Sequence, residues 1–219
     1  MHQSVKNLIK IKDEINTKLN QIKKNKSPNI VAVSKTFPID KVLPLVEYGH
    51  KHFGENKVQE ALEKWEKIKL ENEHINLHLI GGLQSNKVKI AVKIFDYIHS
   101  VDSEKLATKI SKESKKIDKK IKIFIQVNLG EELQKSGIHD DQLDQFYIYC
   151  KNLDLDVVGL MCIPPVNDDP EKYFQQMQYY NDKLNLKELS MGMSSDYLKA
   201  IEYSSTFLRI GSSIFGKRI

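Results

Sequence analysis

A chain of 219 residues with 34 basic and 29 acidic side chains and a formal net charge of +5 has room for one large domain with a substantial core, and a β/α barrel falls within that length. The basicity is mild and consists almost wholly of lysine, since Arg209 and Arg218 are the only arginines. Runs such as Lys115, Lys116, Lys119 and Lys120 therefore read as solvated helix faces, and a nucleic-acid groove, which would show arginine with interleaved aromatics, is disfavoured. Cys150 and Cys162 have no motif spacing and suggest a reducing compartment. With no apolar stretch of signal or membrane-spanning length, the expected location is the cytoplasm and no membrane partner is expected.

The chain opens with Val5, Leu8, Ile9, Ile15, Leu19 and Ile22 at helical spacing, which predicts an amphipathic helix over residues 4 to 24. Eight short apolar runs follow, at 29 to 35, 51 to 56, 77 to 84, 97 to 103, 121 to 128, 157 to 163, 188 to 194 and 207 to 216. Between them lie helical patterns such as Val58, Ala61, Leu62, Trp65 and Ile68, then Leu143, Phe146, Tyr147 and Cys150, then Tyr173, Phe174, Met177 and Tyr180. Regular alternation of β and α predicts a parallel sheet, and eight units predict closure into a (β/α)8 TIM-type barrel with an extra N-terminal helix, in one domain over residues 1 to 219. A doubly wound open sheet is the structural alternative, but no glycine-rich dinucleotide turn follows the first strand.

In such a barrel the C-terminal ends of the strands share one rim, where active sites form. Lys35, Asn56, the strand of His78 with Gln84, Asn128, the stretch from Met161 to Pro164, Ser194 and Arg209 are placed around that mouth. Lys35 ends the apolar run NIVAVSKT, and a desolvated lysine amine can condense with a carbonyl cofactor, although a strand-end lysine also reads as the start of a surface loop. The small polar segments SMGMSSD and RIGSSIFG follow the last two strands, where barrels of this kind hold phosphate; Ser194 or Ser195 also reads as the N-cap of a helix beginning at Tyr197. Arg209 lies inside an apolar strand, and its guanidinium could donate to a pyridine nitrogen or pair with an acidic neighbour. The histidines, including the pair His50 and His52 with His78 and His99 beyond, lack paired metal-ligand spacing and read mainly as surface or core residues.

The ordered set VAVSKT, FGENKVQE, HLIGGLQSNK, VNLGEELQKSG, GLMCI, LSMGMSSD and RIGSSIFG closely resembles the pyridoxal phosphate homeostasis protein family, single-domain barrels similar to the N-terminal domain of alanine racemase. The resemblance runs from about residue 29 to the C-terminus. It implies that Lys35 holds pyridoxal 5'-phosphate (PLP) as an internal aldimine. It further implies that Ser194, Ser195, Gly211 and Ser212 surround the phosphate, that Arg209 faces the pyridine nitrogen, and that Asn56, His78 and Met161 line the pocket. Three departures stand out: Phe37 replaces a basic residue, Gly82 stands where proline is common, and Pro44 interrupts the first helix after the lysine strand. The expected function is intracellular PLP homeostasis by a monomer that buffers PLP or delivers it to apo-enzymes, without established catalysis and with no metal. A small PLP-dependent racemase or lyase is the alternative, and a metal-dependent hydrolase barrel comes third.

Overall fold

The computed structural model describes residues 1–130 and 136–216. Among these residues, eight strands close into a parallel barrel in the order of the chain: β1 (Asn29–Val33), β2 (His52–Glu55), β3 (Asn76–Leu79), β4 (Tyr97–Val101), β5 (Lys122–Gln126), β6 (Asp156–Met161), β7 (Glu188–Ser190) and β8 (Phe207–Ile210). Closure is made by β1 on β8, with Ile30 beside Leu208 and Val31 beside Arg209. Helices α2 (Ile39–Glu47), α3 (Val58–Glu71), α4 (Val88–Ile94), α5 (Glu104–Lys115), α6 (Leu143–Asn152), α7 (Pro170–Lys183) and α8 (Tyr197–Glu202) return the chain to the next strand. The predicted opening helix is α1 (Gln3–Gln21), and a short α9 (Ser212–Phe215) follows the last strand. Among the described residues, no helix is long and apolar enough to cross a membrane.

Each predicted run overlaps its strand, with β3 and β6 beginning one residue earlier than expected, and the strands stop two or more residues short of the predicted C-terminal ends, except at β2, which stops one short. Those surplus residues have left the ladder to form the rim. Pro44 also differs from expectation: it lies within α2, which continues through it to Glu47. Proline forfeits one intrahelical hydrogen bond. The helix is held regardless by Val42, Leu45 and Val46, all buried against the barrel.

Strand residues alternate between two environments. Ala32, Phe53, Leu77, Leu79, Ile98, Ile123 and Ile125 join the main core between barrel and helices, where Phe53 packs against Trp65 of α3 with ring centres 4.7 Å apart. The intervening residues Val31, Tyr97, Phe124, Met161 and Phe207 form a second, fully enclosed cluster inside the barrel. Imidazoles complete that inner layer: His78 stacks on Tyr97 and His99 on Phe124, each with centres 4.3 Å apart. Above this layer the next inward positions after Val31, Phe124, Met161 and Phe207, namely Val33, Gln126, Ile163 and Arg209, belong to the rim.

Candidate functional site

A cavity of about 830 Å³ opens at the C-terminal ends of the strands. Period-two alternation selects its walls: Val33 and Lys35 continue the line of Val31, Asn56 that of His52, Gln126 and Asn128 that of Phe124, and Arg209 and Gly211 that of Phe207. Ser194 and Ser195, from the loop after β7, and Ser212, at the start of α9, complete the side nearest the barrel's closure. Seven of the nine residues expected at the site therefore meet around one cavity: Lys35, Asn56, Ser194, Ser195, Arg209, Gly211 and Ser212.

His78 and Met161 do not reach it. Both side chains are fully buried in the layer below, His78 two residues beneath Ile80, which does line the cavity, and Met161 within the enclosed cluster. Gln84 is also absent from the lining, since the chain turns into a short 3-10 segment after it. Of the quoted motif at 127–137, residues 131–135 lie outside those described.

The loops around the cavity are shaped by close backbone approaches. A β-carbon on Gly81 would lie 2.5 Å from the carbonyl oxygen of Asn56, so only glycine lets the loop after β3 close against the loop after β2. Gly82, in contrast, faces open space, so the departure from proline there leaves no steric conflict. Phe37, the other departure near the lysine, packs its ring 5.1 Å from that of Phe215 in α9. The N-cap of α8 is Asp196 and not Ser194 or Ser195; its carboxylate accepts the amide of Met193 at 2.6 Å. This tightens the turn that carries both serines, and Ser194 Oγ accepts the Ser213 amide at 3.4 Å across to the other loop.

Arg209 is buried, and among the described residues its anchoring acceptors are neutral. Nη1 donates to the carbonyl and hydroxyl oxygens of Ser190, each at 2.7 Å, and Nη2 donates to the carbonyl of Cys162 at 2.8 Å. Burial pulls its pKa down, while nearby Cys162 and Asp196 oppose the shift. The expected alternative of an ion pair with an acidic neighbour is thus replaced by carbonyl and hydroxyl anchoring. A guanidinium has five N–H groups, and three are used by these bonds.

Lys35 follows Ser34, where the chain is clamped by residues that the sequence reading did not single out. Glu55, at the end of β2, is fully buried, and its Oε1 accepts from Ser34 Oγ at 2.7 Å, Lys64 Nζ at 2.8 Å and Trp65 Nε1 at 3.0 Å. Lys64 Nζ also donates to the Ser34 carbonyl at 2.7 Å. On the other side of Lys35, Thr36 adopts a φ of +68°, unusual for a β-branched residue, and its amide donates to Glu60 at 2.9 Å. Backbone held in such a region, directly after the cavity-lining Lys35, is the kind of strain that surrounding structure must over-determine. Here α3 supplies the constraint through Glu60, Lys64 and Trp65. The signal was present in the fixed spacing of Glu55 from Lys64 and Trp65, but alternation alone did not say that Glu55 points outward under that helix.

Comparison with known proteins agrees with this architecture. The family model for the N-terminal domain of alanine racemase matches residues 9–218. The pyridoxal phosphate homeostasis protein of Pasteurella multocida is 35% identical, with 97% of this chain and 96% of that protein covered. The protein of the same name from Vibrio cholerae is 39% identical over 88% of this chain and 86% of its own. The chain belongs to the pyridoxal phosphate homeostasis protein family. Among solved structures, PipY of Synechococcus elongatus with PLP bound is 33% identical, superposes with a TM-score of 0.80, and is covered in full by 92% of this chain.

Proposed function

We propose that this member of the family binds PLP in the rim cavity and serves PLP homeostasis, with Lys35 as the covalent anchor. The observation that carries the reading is the meeting, around one cavity, of an amine, a donor-only cation and a cluster of serine hydroxyls and backbone on separate walls. That donor set matches a ligand with an aldehyde, an aromatic ring nitrogen and a phosphate. The cavity volume, about 830 Å³, is in the range of small-molecule sites. Bound PLP would supply an electrophilic aldehyde. Lys35 Nζ would add to that carbon and expel its oxygen as water, leaving a Schiff base that water can reverse.

The remaining roles follow from position. Ser194, Ser195, Gly211 and Ser212 would hold the phosphate through hydroxyl and amide donors. Arg209 would direct a remaining N–H at the ring nitrogen and, because it cannot accept, would keep that nitrogen unprotonated. An unprotonated ring is a weaker electron sink, which favours holding and releasing PLP over carbanion chemistry on amino acids. Asn56 would face the ligand from β2. His78 and Met161, which lie below the cavity, would support its floor without touching PLP.

The test is the absorption spectrum of protein purified from cells, followed by borohydride reduction and mass spectrometry. The expected result is a visible band lost on reduction and a pyridoxyl group on Lys35. An adduct on another lysine would overturn the assignment of the anchor. In parallel, the PLP-loaded protein is incubated with single-enantiomer amino acids and with an apo PLP enzyme. Activation of the apo-enzyme without racemisation or keto-acid release supports the carrier role, whereas robust turnover would replace it with the racemase or lyase reading.

A further inference from the structure

The alternation that aims Arg209 at the cavity also turns Ser190, His99, His78 and His52 into the barrel interior, where they form one unbroken hydrogen-bonded line. Arg209 Nη1 lies 2.7 Å from Ser190 Oγ, which lies 2.8 Å from His99 Nδ1. His99 Nε2 lies 2.9 Å from His78 Nδ1, and His78 Nε2 lies 2.9 Å from His52 Nδ1. Ser190, His99 and His78 are fully buried, and His52 is half-buried at the opposite end of the barrel, where the strands begin. Barrel interiors are ordinarily filled by branched aliphatic side chains, so three imidazoles in succession call for a reason beyond filling space.

The direction of every bond in this line is set by the one member that can only donate. Arg209 gives a proton to Ser190 Oγ and can receive none. If His99 Nδ1 also donated to that oxygen, the buried hydroxyl proton would be left without an acceptor, a costly arrangement. Ser190 therefore donates to His99 Nδ1. Burial holds His78 and His99 well below the ordinary histidine range, aided at His78 by the neighbouring His99 and His52 and at His99 by Arg209 and His52, and burial with Lys122 and Lys51 lowers His52 to about 4. All three rings are then neutral, each with one donor and one acceptor. His99 must donate from Nε2 to His78 Nδ1, and His78 from Nε2 to His52 Nδ1. All three become the Nε2–H tautomer.

We propose that Ser190, His99, His78 and His52 form a polarised, uncharged support for Arg209, in which His99, acting through Ser190, is a positioning residue that holds the guanidinium against the ring nitrogen of bound PLP. The identity of that ligand rests on the function proposed above; the polarity of the line does not. Each hydrogen bond presents a lone pair toward Arg209, so the cation is stabilised from below without a carboxylate. A carboxylate at the place of Ser190 would satisfy the guanidinium equally well but would cancel its charge. The neutral line leaves that charge to act on an anionic ligand.

Two arms test the proposal separately. In ¹⁵N-histidine-labelled protein without PLP, imidazole NMR should show His52, His78 and His99 neutral and protonated at Nε2. An Nδ1–H tautomer or an imidazolium at His78 or His99 would overturn the polarity. In the second arm, PLP labelled with ¹⁵N in the ring is bound to wild type, His99→Phe, His99→Gln and the smaller change Ser190→Ala. Loss of the support should weaken PLP binding about tenfold in the Phe and Ala variants. It should also move the ring-nitrogen resonance toward the protonated form, a shift that a loss of packing alone would not produce. His99→Gln, whose amide can accept from Ser190 and donate onward, should recover most of both. An unchanged resonance and affinity in Ser190→Ala would overturn the positioning role even if His99→Phe failed to fold. Expected tautomers with no PLP binding by wild type would instead overturn the cofactor assignment and leave the polarised line standing.

Discussion

Replacing Lys64 by methionine should destabilise the barrel by about 3 to 4 kcal/mol, because it strands a carboxylate in a dry place. Lys64 Nζ and Glu55 Oε1 are 2.8 Å apart, with side-chain exposures of 8% and 0%. Breaking a buried pair from one side typically costs about 3 to 5 kcal/mol, since the remaining charge keeps its desolvation penalty and loses its partner. Two donors to Oε1 survive, from Ser34 and Trp65, which places the expected value toward the lower end. The methionine also leaves the Ser34 carbonyl without the Lys64 hydrogen bond, immediately before Lys35. The double variant Glu55→Gln, Lys64→Met removes both charges and should recover at least half of the loss, because a buried pair contributes little net stability relative to a neutral replacement. The assay is urea denaturation at fixed pH, read as a change in midpoint at constant slope. A single-variant loss below about 1 kcal/mol, or a double variant no more stable than the single, would refute the account of Glu55 as a charge held by Lys64.

Acid should destabilise the protein before its carboxylates titrate. His50 and His52 are depressed to about 4, mainly by burial, and His78 and His99 lie well below the ordinary value. The unfolded chain then binds more protons, so stability is full above about pH 6.5 and falls as pH drops toward 4, by up to about 1.4 kcal/mol per pH unit for each imidazole. A denaturation midpoint that stays flat from pH 6.5 to 5 would contradict this. Thr36→Gly should raise stability by about 1 kcal/mol by relieving the left-handed backbone, read by the same urea titration; a loss would mean that the threonine side chain is needed more than its conformation is resented. Lys35→Ala should abolish borohydride-trapped pyridoxyl label while leaving the circular dichroism spectrum and midpoint near wild type. Pyridoxal lacking the phosphate should bind at least about tenfold more weakly than PLP in equilibrium titration, and equal affinity would remove the role given to the serine loops.

The barrel was legible in the sequence because eight apolar runs and intervening helical patterns carry two distinct periods, and burial enforces both. The strand ends were less legible. Lys35, Asn56 and Asn128 continue the inward alternation after the ladder has stopped, so pattern alone extends the strand into the rim. Depth along the barrel was hidden for the same reason: His78 and Ile80 share one inward line, and only the register with β4 shows that the histidine lies in the layer below the cavity. The start of α8 was misplaced as well: its N-cap is Asp196, one residue beyond the expected serines, and the Asp196 carboxylate turns back to the Met193 amide without capping the helix. Interactions between strand and helix layers, such as Glu55 with Lys64 and Trp65, depend on which outward residue meets which helix face, and single-sequence periodicity does not encode that pairing.

Barrel closure also dictates when the cavity can exist during the life of the chain. Its amine comes from the first strand and its guanidinium from the last, and these become neighbours only when β1 joins β8. The seam is then covered by α1, whose Asn7 donates to the Ile214 carbonyl at 2.8 Å and whose Glu14 accepts from Tyr197. A chain still emerging from the ribosome, or one that has lost its final strand, can assemble much of the sheet yet has no complete cavity. Capture of ligand therefore reports completed topology, and mass action places the full binding free energy on the step that joins the two ends. Because that step links the two strands most distant in sequence, it is entropically the most demanding pairing in the sheet. The ligand would act as a latch on the seam, slowing its opening more than the fraying of any helix away from it.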